Sequence, residues 1–445
     1  MMRSTTMIRS QLMHVAAAAV WLIAPATVLG QSREVPAPVQ DRMVVIHSAT
    51  IHTGTGAVLE NGSIAFADGV ITGVTAGMPD VGDAMVIDGS GIHIYPGLIA
   101  SETNLGLTEV GAVDVTNDYT ELGRVKPEVR AAVAINPDSD LLSVCRANGI
   151  LTAHVLPSGG LVSGRSSLVR LDGWTWEDMA IDDTAGLVVS WPRTEPINSR
   201  WMRRSAAEQR KEIAEDLKRV EQVFDDAAAY LVARENDPAV KTDLRYEAMA
   251  PALRGEQPIY VRASSMGQIE SAVGWALRRG LRIVIVGGHQ ADRVAPLLAR
   301  HDIPVILGGL HRLPARRHSA FDEPFTVPLR LHEAGVRFCI ASGAGAAHER
   351  NLNHVAATAA AYGLPKEAAL AAVTRSAAEI LGLTSHGTLE AGKAATFIIT
   401  DGDPLEITTN TLEAFIDGRR IDLGSRHKAL YEKYREKYRQ LGIVD

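Results

Sequence analysis

The chain has 445 residues, of which 46% are hydrophobic and 22% charged, with a formal net charge of −7. These are the values of a folded protein and exclude a disordered chain. The acidic balance and the lack of any Lys/Arg-rich block argue against a nucleic-acid partner, and two cysteines do not make a disulfide framework.

At the start of the chain, Arg3 and Arg9 precede an apolar run from Leu12 to Leu29 that closes on small residues. Pro25 interrupts this run and the polar, Pro-rich REVPAPVQ follows it. The pattern predicts a signal peptide over 1–30, cleaved after Gly30, in preference to a retained membrane anchor. A periplasmic or secreted protein with no stable membrane anchor is therefore expected.

Residues 41–95 read as strands. MVVIHSAT alternates, and Asp68-Gly69 between β-branched residues is a hairpin signal. From 96 to 384 strands alternate with helices. Candidate strands fall near 98–100, 150–156, 186–190, 259–263, 282–286, 304–307 and 337–342. The longest helical pattern, 205–235, repeats its apolar positions Ile213, Leu217, Val220, Val223 and Phe224 three and four apart. Cys145 and Cys339 lie in a helical and a strand pattern respectively, where each is expected as a small buried side chain. This alternation predicts an α/β fold with a (β/α)8 TIM-like barrel. An open doubly wound sheet is the alternative, but no G-x-G-x-x-G follows a first strand. Residues 385–424 return to β, and together with 41–95 they predict a small β-sandwich beside the barrel. A charged helix over 425–445 closes the chain, and its i,i+4 pairs suggest a solvated face.

Several segments carry a resemblance in combination. They are ATIHTGTGAVLENGSIAFADGVITGV, VIDGSGIHIYPGLIA, GLPKEAALAAVTRSAAEILGL, GTLEAGKAATFIITDGDPL and FIDGRRI. In these the chain resembles the metal-dependent amidohydrolase superfamily, particularly its imidazolonepropionase-like and dihydroorotase-like members, over nearly its whole length. The resemblance implies hydrolysis of non-peptide C–N bonds. It also implies a His-x-His metal motif on the first barrel strand, His ligands after the fifth and sixth strands, and an Asp after the eighth. Such ligands lower the pKa of a bound water and polarise a carbonyl.

At those positions this chain has Glu102 and Asn104, then Arg262, then His289, then Ser342 or Gly343. Only His289 matches. An arginine stays protonated and repels a dication, so no metal ligands and no cofactor are expected. An ion pair between Glu102 and Arg262, extended by His289 and Asn104, is the expected replacement. His289 and His348 are the candidate catalytic residues; Glu102, Asn104, Arg262, His311 and Ser342 are the candidate pocket.

Three other segments offer polar groups. The loop after the first strand carries Glu109, Asp114, Asp118 and Glu121, which suit a cation or simply solvent. PSGGLVSGRSS offers glycines, Arg165 and Ser166 to an anion. His311, Arg312, Arg316, Arg317 and His318 form a basic cluster. Two functional readings follow. One is a hydrolase with remodelled ligands acting on a small molecule. The other is a non-catalytic binding protein or partner subunit, in a homo-oligomer or in a hetero-oligomer with an intact paralogue.

Overall fold

The computed structural model describes residues 35–314 and 318–444. The expected signal peptide lies outside them. Two sheets organise the rest.

The first sheet holds β1 (Val44–His52), β2 (Val58–Ala67), β3 (Val70–Ala76), β4 (Met85–Asp88) and β5 (His93–Pro96). The second holds β6 (Leu98–Thr103), β7 (Ile150–Val155), β8 (Val162–Arg170), β9 (Ala180–Ser190), β10 (Ile259–Ala263), β11 (Ile283–Gly287), β12 (Val305–Leu307) and β13 (Phe338–Ile340). The chain then returns to the first sheet with β14 (Phe397–Thr400), β15 (Thr411–Ile416) and β16 (Arg419–Arg420).

The first sheet runs β16-β15-β14-β5-β1-β2-β3, with β4 also on β1. Phe66 on β2 and Phe415 on β15 are four strands apart, which in a flat sheet would separate them by roughly 19 Å. Their rings are instead 5.2 Å apart, and Phe397 stacks on Phe415 at 4.8 Å. The sheet therefore folds over on itself. The sandwich expected from the sequence is one continuous sheet closed around these three rings, with Ile46, Ile64 and Ile94 buried beside them.

The second sheet runs β13-β12-β11-β10-β9-β8-β7-β6. Seven of its strands match the seven predicted. The eighth, β8, occupies the Gly- and Ser-rich segment read as an anion-binding loop, and it pairs antiparallel with both neighbours. Its buried side chains include Ser163, Ser166 and Ser167, so the apolar alternation that marks a strand is missing. Ser166 accepts or shares a proton with His154 at 2.8 Å, and Ser167 donates to the Asp183 carbonyl at 2.9 Å. Small hydroxyls do the packing that Val or Ile does elsewhere.

The two edges of this sheet are joined through a helix end. Ile99 on β6 donates to the Val373 carbonyl, and Ile340 on β13 donates to the Ala372 carbonyl, each at 2.9 Å. Consecutive carbonyls just after the Lys366–Ala371 helix thus splice the first strand to the last. Ile99, Val188, Tyr260, Val284, Ile306 and Cys339 fill the interior, while alternate residues such as Val189, Val261 and Ile285 face the surrounding helices. Cys145 packs in that outer layer and both cysteines are free and buried.

The longest helix, Ala206–Asn236, starts on a capping box formed by Ser205 and Glu208 and buries Val220, Val223 and Phe224 against Trp275 and its neighbours. Burial of such a stripe, more than helix propensity, holds a surface helix in place.

One contact tests the closure directly. Gly343 has φ +64°, and a Cβ there would sit 2.1 Å from the Gly309 nitrogen. Gly343→Ala should destabilise the protein by at least about 2 kcal/mol in urea unfolding, because neither backbone can retreat. Gly274→Ala, whose Cβ would meet only the Arg278 guanidinium at 3.6 Å, should be neutral or stabilising.

Candidate functional site

The parallel strands all end at one face, and their ends enclose a cavity of about 380 Å³. The first strand contributes most. Pairing between β6 and β7 slips between Ala100 and Thr103, and past that irregularity Glu102, Thr103 and Asn104 all reach the cavity wall. Arg262 comes from β10, two residues beyond the interior Tyr260, as strand alternation requires. His289 follows β11, and Gly308, Gly309, Gly343 and Gly345 bring bare backbone to the rim.

Arg262 Nη1 lies 2.5 Å from Glu102 Oε1, and the side chains are 30% and 16% exposed. This is a charge-assisted contact across the barrel mouth, in a place where water screens it poorly. Asn104 braces the same region: its Oδ1 accepts from the Ala346 amide at 3.0 Å and its Nδ2 donates to Thr108 at 2.9 Å. It ties the end of β6 to the turn after β13.

His289 is half-buried. Burial, then the positive charge of Arg312, hold its imidazole below the ordinary value, against a hydrogen bond with Gly308 that favours the charged form. It is a neutral ring at neutral pH. Arg312 itself donates to the His289 carbonyl at 3.2 Å, so this member of the basic cluster supports the loop instead of facing a ligand.

Three of the predicted residues, His348, His311 and Ser342, do not line the cavity. His348 is exposed on the 3-10 turn Ala346–Asn351 and does not line the cavity. A turn with three residues per repeat sends adjacent side chains to opposite sides, and the neighbour Glu349 points inward. His311 is also exposed and pairs with Thr358 at 2.8 Å on the Leu352–Ala361 helix. Ser342 sits behind the wall and donates to Glu349 Oε2 at 2.9 Å. Arg316 and Arg317 lie outside the described residues. In the long acidic loop, Tyr119 reaches the cavity; Glu109, Asp114, Asp118 and Glu121 do not.

Glu349 was not among the candidate site residues, His348 beside it being preferred, and it is the most unusual group present. The side chain is buried at 1% exposure and lines the cavity, and its Oε1 has no hydrogen-bond partner of good geometry. Burial pushes its carboxyl up to about 7, while the hydroxyls of Thr103 and Ser342 hold it partly down. The signal in the sequence was weak: an acid two residues after Gly-Ala-Ala, beside a more conspicuous histidine.

Beneath the cavity, His154 on β7 is fully buried. It is held between the Ser101 carbonyl at 2.9 Å and Ser166 at 2.8 Å, and its ring tilts against Tyr260. Desolvation lowers its pKa to about 3. This is a neutral structural histidine that closes the floor.

These residues do not fit a divalent metal. The carboxylate on the first strand already faces a guanidinium, burial favours the protonated form of Glu349, and His289 is a single imidazole. Among the described residues no three His, Cys, Asp or Glu side chains converge as a ligand set. A catalytic zinc takes three protein ligands.

Comparisons with known proteins agree on the fold. The model of the Amidohydrolase family matches residues 290–422. The amidohydrolase tasK of Hapsidospora irregularis is 24% identical over 388 residues, covering 80% of this chain and 39% of that one. The chain thus spans about two fifths of the length of this curated relative. The structure of an amidohydrolase from Thermotoga maritima MSB8 superposes with a TM-score of 0.75 at 23% identity, covering 85% of this chain and 99% of that one. A prolidase complexed with N-methylphosphonate-L-proline gives 0.52 at 16% identity, over 85% and 99% of the two chains.

The site yields two predictions. Arg262→Gln and Glu102→Gln should each cost about 2 kcal/mol, since each leaves a poorly solvated charge without its partner. The double variant should lose clearly less than the sum, by at least about 1 kcal/mol in a double-mutant cycle of urea unfolding. Additive losses would mean that the pair is not coupled.

The second concerns pH. The Glu349 carboxyl is raised from 4.5 to about 7 on folding, so the unfolded chain sheds this proton first. Stability is therefore lost as pH rises from 4.5 to about 7 and stays lower above that window. Glu349→Gln should abolish this fall and stand on the order of 2–3 kcal/mol above the parent at pH 8 relative to pH 4. His154 contributes the opposite slope on the acid side, equally in both proteins, so the difference between them isolates Glu349.

Proposed function

We propose that the chain is a metal-independent member of the amidohydrolase family, whose model matches residues 290–422, and that it binds a small polar molecule and serves as the partner subunit of an intact hydrolase. The observation that carries this reading is the Glu102–Arg262 pair at 2.5 Å. It puts a permanent cation where the family resemblance implies a metal, and it neutralises the one carboxylate that the first strand offers.

The cavity is polar but balanced. It pairs one cation with one anion and adds a neutral imidazole, a carboxyl raised to about 7, and the side chains of Asn104, Ser158, Ser264 and Tyr119. Such a lining suits a neutral or zwitterionic molecule that exchanges several hydrogen bonds with the wall. The partner role draws support from the loops around the mouth. Val115, Leu122, Trp201, Leu313 and Phe321 are each at least 74% exposed on loops that follow β6, β9 and β12. It also draws support from tasK, in which the matched region is a minority of a longer chain. Export through residues 1–30 remains part of this proposal.

A second reading has one observation in its favour. Glu349 presents an unpartnered carboxyl oxygen to the cavity and titrates near 7, which suits proton transfer without a metal. In that case the chain is a remodelled hydrolase.

Metal analysis of the purified protein, grown with zinc, manganese and nickel, distinguishes these. We expect less than about half an equivalent of any of the three, against the full site that a three-ligand centre holds. We also expect no turnover on an amide and lactam panel, and co-purification with a paralogue that keeps the His-x-His motif. Stoichiometric metal, or hydrolysis abolished by chelator, would overturn the proposal. Turnover that survives chelator and is lost in Glu349→Gln would establish the second reading.

A further inference from the structure

The helix Arg426–Gln440 has no buried residue, and an ion pair between Arg426 and Asp140 at 3.2 Å ties its start to the body. At 3.6 residues per turn, His427, Leu430, Tyr431, Tyr434, Tyr438 and the following Leu441 fall on one side. Leu430, Tyr431, Tyr434, Tyr438 and Leu441 are all between 40% and 64% exposed. The charges are distributed around this stripe in an ordered way. Lys433 and Lys437 fall along one flank and Lys428 and Arg435 along the other. Glu432 and Glu436 lie on the far side, where they pair with Arg435 and Arg439. The sequence pattern of i,i+4 charges suggested a plain solvated helix; the structure leaves an aromatic face open between two rows of cations.

We propose that this helix docks the protein on an anionic lipid surface. The face has the chemistry of an interfacial helix. Tyrosine rings settle at headgroup depth with their hydroxyls in water, and flanking lysines reach up along their alkyl stems to lipid phosphates. Lys437 already lies 5.9 Å from the ring centres of both Tyr434 and Tyr438, ammonium and aromatic side by side. The helix carries six Lys and Arg against two Glu in a chain of net charge −7. Attraction to an anionic surface is therefore local to this helix and orients the molecule. A second copy of the helix is a poor occupant, because like charges would line both flanks of the seam.

The test uses the full chain with a reporter on the helix, since the apolar N-terminal run would itself bring the protein to lipid. Leu441→Cys labelled with an environment-sensitive fluorophore reports only this face; Cys145 and Cys339 are buried and do not compete. With vesicles of equal parts phosphatidylglycerol and phosphatidylcholine we expect a blue shift that vanishes in high salt and is absent with phosphatidylcholine alone. Lys433→Glu/Lys437→Glu should weaken the response at least about tenfold, and Tyr434→Ser/Tyr438→Ser should abolish it. None of the four side chains is buried, so the thermal melt should not move. An equal shift on neutral vesicles, or no shift on anionic ones, overturns the proposal. A shift without lipid that grows with protein concentration also overturns it and assigns the face to a second copy.

Discussion

A guanidinium set against a carboxylate at the mouth of the barrel governs how this site can be read. Arg262 carries a permanent charge, and Glu102 sits 2.5 Å away with its side chain 16% exposed. Once both are placed, the other groups follow. His289 has no need to be charged and its surroundings keep it neutral. Glu349 is raised to about 7 by burial first, with the Glu102 carboxylate adding to the shift. The site holds its charges in one compensated pair, and burial shifts its remaining titratable groups, His289 and Glu349, toward their neutral forms. A metal centre reverses that arrangement, concentrating positive charge on the ion and negative charge on its ligands.

The fold was legible because its evidence is redundant. Seven strands announce themselves by β-branched runs ending in polar residues, and the long 206–236 helix by its stripe. The eighth strand was not legible. Residues 162–170 are mostly buried, but Ser166 and Ser167 satisfy their hydroxyls on neighbouring backbone or on His154, and Ser163 is buried with its hydroxyl unpartnered. A buried polar strand of this kind has no hydrophobic period to detect. Its antiparallel direction was equally invisible, because strand direction depends on which partners close the barrel.

Within the site, legibility depended on whether a residue sits on a strand or beyond it. Glu102, Arg262 and His289 could be placed by counting along strands, where side chains alternate. Glu349 and His348 lie on a 3-10 turn whose start is set by Gly345 at φ +74° and by Asn104 accepting from the Ala346 amide. Nothing local tells which of the two adjacent residues turns inward. The contact that decides it comes from residue 104, 242 positions away in the chain. The histidine stood out as a candidate base in the loop after the last strand, and long-range backbone geometry chose the glutamate.

Asn104 shows why the two levels cannot be separated. It occupies a position where the family resemblance implies a metal-binding histidine, yet it spends both ends of its amide on structure, one on Ala346 and one on Thr108. A metal ordinarily draws the ends of several strands together by ligation. Here direct contacts join the same elements: β6 to β10 by Glu102 and Arg262, β6 to the turn after β13 by Asn104, and β12 to β13 by the close approach of Gly309 and Gly343. The residues at the positions where the family resemblance implies ligands thus carry contacts that shape the barrel mouth, so a substitution at any of them acts on the fold of the site as well as on its chemistry.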